Sequence, residues 1–168
     1  MVAGGAVMPR VSATPQPGII PEPSESALFL ILRVRDPVPN AAAVAQSLSR
    51  VPALVAKVGA IDPKAKLVCT VAIGPEYWDV LVPGKRPKGL RPFRAIAGKA
   101  PNTGGDLLVH VISRRPDLNF ELARRIMGEL KDHVEVMDEV HGFRYLDSRD
   151  LTGFIDGTEN PVRSRASR

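Results

Sequence analysis

Apolar and polar positions along this chain switch between two periods, and the switches mark its elements. Residues 27–34 (ALFLILRV) form a near-continuous apolar run, as expected of a strand central in a sheet or covered on both faces. A Pro-rich turn at 36–40 follows, with Asn40 the expected N-cap of a helix. Val44, Leu48, Val51, Val55 and Val58 then recur at spacings of three and four, which is one helical face. Pro52 interrupts that face. The stretch is therefore one kinked helix, or two short helices with Pro52 in the first turn of the second, and Gly59 closes it. Residues 67–73 read as a second strand, and 75–82 as a short helix presenting Tyr77, Trp78 and Leu81. A long Pro/Gly/Lys/Arg loop spans 83–105. A third strand is expected at 106–113, an amphipathic helix at 118–130 with Leu118, Leu122, Ile126 and Leu130 on one stripe, and an alternating fourth strand at 134–140.

The order is βαββαβ, a ferredoxin-like α+β arrangement with two helices covering one face of a four-stranded antiparallel sheet. Such a fold hosts many unrelated activities, so function must be read from a site. Residues 1–26 form a Pro/Gly/Ser-rich flexible lead, 27–141 the ferredoxin-like domain, 142–161 a loop, and 162–168 a disordered basic tail.

Composition narrows the classes. At 168 residues and 44% hydrophobic, the chain holds enough core for one domain without staples. The lone cysteine, Cys69, rules out an internal disulfide and is expected to be buried and inert. The longest apolar run falls far short of the roughly 20 residues of a spanning helix. Prolines at 15, 17, 21 and 23 break any secretory h-region, so a cytoplasmic location is expected. The net charge of +5 owes much to Arg163, Arg165 and Arg168 in the tail. Lys85, Arg86, Lys88, Arg91, Arg94 and Lys99 make the long loop basic. With aromatics at only 5%, this reads as a solvated face rather than a nucleic-acid surface.

Chemistry concentrates after the last strand. The loop HGFRYLDSRDLTGFIDGTENP contains G-x-x-D-G, with Gly153 and Gly157 flanking Asp156. Glycines permit close approach of backbone to a flat ligand, and an Asp between them is a candidate proton acceptor. By itself the pattern fits an exposed turn better than a catalytic site. Its context is more specific. G-F-I-D-G-T-E-N-P, with D-E-V-H-G-F-R-Y and D-S-R-D-L before it, resembles the dye-decolorizing peroxidase family, in its shorter bacterial subgroup. P-E-P-S-E-S-A-L-F-L, V-A-I-G-P-E-Y-W-D-V-L, R-P-F-R-A-I, G-G-D-L-L-V-H-V and F-E-L-A-R-R-I resemble the same family in the same order, from about Pro21 to Pro161.

The resemblance implies a haem b peroxidase built from two ferredoxin-like halves, of which this chain looks like the first half plus the distal loop. It makes Asp156 the distal acid/base, which takes a proton from hydrogen peroxide and returns it to the leaving oxygen. Gly153, Gly157, Thr158 and Glu159 would lie along the haem, which then draws electrons from a dye or phenolic donor. The family's proximal histidine and distal arginine lie downstream of the motif, and no metal ligand is expected within this chain. After Pro161 the resemblance ends in an Arg/Ser-rich tail, so the chain reads as a truncated or frame-disrupted product with little turnover of its own.

Of the three histidines, His110 reads as a core residue and His133 as exposed. His141 is the one candidate axial ligand, although such a ligand must stand across the haem from Asp156. Arg144 and Arg149 could meet haem propionates, or pair with Asp147 or Asp150. Trp78 reads as core packing ahead of electron relay. The alternative function is a non-catalytic ferredoxin-like module that self-associates or awaits a second half, with weak haem binding or none. Neither reading involves a membrane.

Overall fold

The computed structural model describes residues 14–20 and 24–155. Strands β1 (Ser26–Val34), β2 (Val68–Ile73), β3 (Leu107–Ser113) and β4 (Val134–Phe143) form one antiparallel sheet in the order β2-β3-β1-β4. Helices α1 (Pro37–Ser49), α2 (Val51–Gly59), α3 (Pro75–Leu81) and α4 (Pro116–Leu130) complete the ferredoxin-like order, with a single 3-10 turn at Pro63–Ala65.

The apolar run of β1 does take the centre of the sheet, between β3 and β4. Its Leu28, Leu30, Leu32 and Val34 point to the helices and are buried, while Ala27, Phe29 and Ile31 on the other face are half-buried. The core closes over Val109 and Val111 of β3, Val44 and Val58 of α1 and α2, and Leu118, Leu122, Ile126 and Leu130 of α4. Pro52 realises the two-helix alternative: it sits in the first turn of α2, where its missing N–H costs nothing.

Three expectations need correction. Helix α1 starts at Pro37, not after Asn40, and Asp36 is its N-cap residue. Proline fixes the backbone dihedral that a first helical turn requires, so the helix begins at the prolines. Asn40 instead turns its side chain back, with Nδ2 donating to the Arg35 carbonyl at 2.6 Å.

The alternation read in β4 does not give one buried face: past Val134 its residues are exposed or half-buried. The ladder to β1 pairs Ile31 with Asp138 but Leu32 with Val136, which leaves Met137 as an extra residue in a bulge. The bulge reverses the parity of the strand. Val134 and Val136 face the helix side, whereas Val140 pairs with Phe29 on the open face.

His110 is not in the core. It pairs with Phe29 across the β3–β1 ladder on the open sheet face, where the two rings stack. Val68, Thr70, Leu108 and Ile112 share that face by register. No helix covers it.

Residues 14–20 lie against β2. The Gln16 side chain donates from Nε2 to the Val71 carbonyl at 2.8 Å, and its Oε1 accepts from the Val71 N–H at 2.9 Å. A Cβ on Gly18 would lie 2.3 Å from Thr70 Oγ1, so glycine is required for that approach. No helix among the described residues is long and apolar enough to cross a membrane.

Candidate functional site

Strand β4 runs to Phe143, two residues past the expected domain limit at 141, and hands the chain to the motif loop. Arg144 N–H donates to the Glu25 carbonyl at 2.9 Å, which fixes the exit direction beside the start of β1. The loop then folds on itself. Leu146 and Ser148 both take positive φ, at 44° and 76°. Ser148 and Arg149 N–H both donate to the Tyr145 carbonyl, and isolated bridges join Tyr145 to Arg149 and Arg149 to Ile155.

Arg149 is the centre of this turn. Its guanidinium grips Asp147 in a two-bond fork, at 2.8 and 3.2 Å, and donates to the Gly153 carbonyl at 2.9 Å. Of the two roles open to Arg149, the structure therefore shows the local ion pair. Asp150 makes a second tie: its Oδ1 accepts from Thr152 N–H at 2.8 Å and from the Thr152 hydroxyl. The Thr152 hydroxyl bond leads the causes that hold the Asp150 carboxyl below the usual carboxylate range.

Gly153 has φ +94°, a left-handed conformation that other residues adopt only with strain, and no atom crowds the place of a Cβ. Its glycine is thus required by backbone conformation, independently of any ligand. Asp156, Gly157, Thr158 and Glu159 lie outside the described residues.

The side chains that this turn presents were not singled out by sequence reading. Phe154 is 76% exposed, Leu151 77% and Leu146 67%, and Ile155 is also exposed. A polar, glycine-rich loop that places four large apolar groups in water has the makings of a contact surface. The available signal was their occurrence in a segment without helix or strand period.

The three histidines are spread apart in their environments. His110 stacks on Phe29, and burial lowers its pKa. His133, expected to be exposed, is half-buried, with its Nδ1 3.0 Å from Asn40 Oδ1. His141 Nε2 lies 2.7 Å from Glu139 Oε1 on the outer part of β4. The described residues contain no group of three or more His, Cys, Asp or Glu arranged to hold a metal ion. Cys69 is buried, and burial pushes its thiol up to about 12, as expected for an inert cysteine. Trp78 is half-buried, and its indole N–H donates to the Lys85 carbonyl at 3.3 Å.

This fold, with a glycine-bearing loop leaving β4, is that of the N-terminal domain of a peroxidase family. Residues 16–144 match the family model described as Dyp-type peroxidase, N-terminal. The chain belongs to that family. It is 49% identical over 157 residues to a dye-decolorizing peroxidase of Brevibacterium linens, covering 91% of this chain and 42% of the relative. Identity to the corresponding Mycobacterium tuberculosis protein is 45%, covering 92% of this chain and 45% of the relative. Among solved structures, DyPB from Rhodococcus jostii superposes with a TM-score of 0.85 at 41% identity, over 90% of this chain and 50% of that one. The encapsulated DyP-type peroxidase from Mycobacterium smegmatis gives 0.82 at 40% identity, over 88% and 48%. A variant of the Rhodococcus jostii protein was solved in complex with heme. The chain spans about half the length of the curated relatives it matches.

Proposed function

We propose that this chain forms the distal wall of a haem peroxidase site, with Asp156 as its acid/base. The observation that carries the reading is the loop leaving β4. It directly follows the Dyp-type N-terminal domain matched over residues 16–144, is braced by Arg149, and leads in sequence through apolar residues to the Asp of G-x-x-D-G.

The described residues suit one wall of a haem site. Phe154, Ile155 and Leu151 supply exposed apolar surface for a flat porphyrin. The described histidines each have another neighbour: His110 stacks on Phe29, His133 meets Asn40 and His141 pairs with Glu139, so an iron ligand would come from outside the described residues. Bound haem would supply the redox chemistry. Asp156 would accept a proton from hydrogen peroxide and return it to the departing oxygen. A carboxylate suits this task in mildly acidic solution, because its ordinary pKa leaves it ionised there. The electron donor would be a dye or phenol. Turnover by this chain alone is expected to be low.

A haemin titration of the purified chain, read by absorbance and followed by hydrogen peroxide, tests the proposal. Saturable binding is expected, weakened by Phe154→Ser. Asp156→Asn should leave binding unchanged and abolish any spectral response to peroxide. Featureless, non-saturating uptake would overturn it.

A second reading is favoured by the uncovered sheet face around Phe29, His110 and Val140: a non-catalytic assembly module. Self-association without stoichiometric haem binding would support that reading instead.

A further inference from the structure

We propose a second binding site, for an aromatic monocarboxylate, in the cleft between the start of α4 and the end of β4. The cleft measures about 460 Å³ and lies on the helix side of the sheet. Arg114, which precedes α4, and Arg144, which follows β4, both line it. Neither guanidinium has an ion-pair partner among the described residues, unlike Arg115, Arg124 and Arg149 nearby in the chain. Glu25 also lines the cleft and opposes an anion, but the two arginines outnumber it, so the lining as a whole is cationic. His141 also faces it but is paired with Glu139 at 2.7 Å.

The other walls are apolar. Phe143 and Leu146 line the cleft and remain 70% and 67% exposed. A bare phosphate would satisfy the arginines and leave both apolar groups in water. A carboxylate on an aromatic ring satisfies both kinds of wall: the guanidinium fork matches a carboxylate in plane, and the ring covers Phe143 and Leu146. The floor is ordered. Ser26 is buried, donates to the Ser113 carbonyl at 2.8 Å, and accepts from Asn119 Nδ2 at 3.0 Å. The cleft is therefore built on a fixed hydrogen-bonded base.

The test is calorimetric titration of the full chain with 4-hydroxybenzoate, set against neutral 4-hydroxybenzamide and inorganic phosphate. No haem or peroxide is present, so the outcome is independent of the peroxidase reading. Saturable 4-hydroxybenzoate binding is expected, at least about tenfold tighter than either comparison compound. The double variant Arg114→Gln/Arg144→Gln should weaken it by about tenfold or more, and Phe143→Ser should weaken it with the charges intact. Arg94→Gln, in the exposed 83–105 loop, should change nothing. Circular dichroism checks that each exposed-site variant stays folded. Absence of saturation to about 10 mM, equal binding of the amide or phosphate, or unchanged binding by the double variant would each overturn the proposal.

Discussion

Phe29 and His110 stack across the β1–β3 ladder with ring centroids 4.2 Å apart and planes within 9° of parallel. Stacking at this distance keeps the imidazole partly out of water, and burial lowers its pKa from 6.5. The folded chain thus resists protonation more than the unfolded chain does. Stability is full above about pH 6.5 and falls as pH drops below it, because the unfolded state takes the proton first. The urea midpoint of the wild type should fall between about pH 7.5 and about pH 5.5, and His110→Phe should reduce that fall. An identical pH slope in both proteins would show that His110 is not the group responsible.

The second prediction concerns Arg149. Its side chain ties Asp147 and the Gly153 carbonyl together, while its backbone bridges Tyr145 and Ile155. Arg149→Ala should speed hydrogen exchange at Gly153 and Ile155. Global stability should change by less than about 1 kcal/mol, since the ion pair is largely solvent-exposed. A large loss of global stability would mean that the loop is part of the cooperative core.

Two residues of α4 make an internal comparison. Leu122 is completely buried and Phe120, two positions away, is 56% exposed. Leu122→Ala should cost about 2–5 kcal/mol and Phe120→Ala about 0.5 kcal/mol or less, read from denaturant curves. A reversed order would place the core on the wrong face of the helix.

Cys69 offers a reporter of opening. With its thiol buried and raised to about 12, it should react with a disulfide reagent at about pH 8 only through unfolding. Labelling should be at least ~100-fold faster in denaturant than in buffer. Rapid labelling of the native chain would show that β2 opens locally.

Much of the fold was legible because hydrophobic period reports burial. The apolar run of β1, the Leu118–Leu130 stripe and the Pro52 break all carry their signal locally. What failed was decided by groups distant in sequence. The bulge at Met137 arises from pairing with β1, and only that pairing tells which side Val140 takes. His110 has apolar neighbours on either side in the chain, so its sequence context cannot distinguish the helix face from the open face. In the site, Gly153 was read for its place along the haem, and what the structure adds is a positive φ that calls for glycine whatever the ligand. The exposure of Leu151, Phe154 and Ile155 was not, because apolar content usually signals burial.

The Gln16 side chain hydrogen-bonds the backbone of Val71 as a neighbouring strand would, although 55 residues separate them. A sheet margin needs a partner or it becomes a template for other chains. Here one amide does that at a single rung, from a Pro-Gln-Pro context that cannot itself make a regular strand. The β2 margin is therefore guarded by a residue outside the core and outside the motif loop. Gln16→Ala should expose the β2 margin to pairing between molecules, read as a rise in self-association by light scattering.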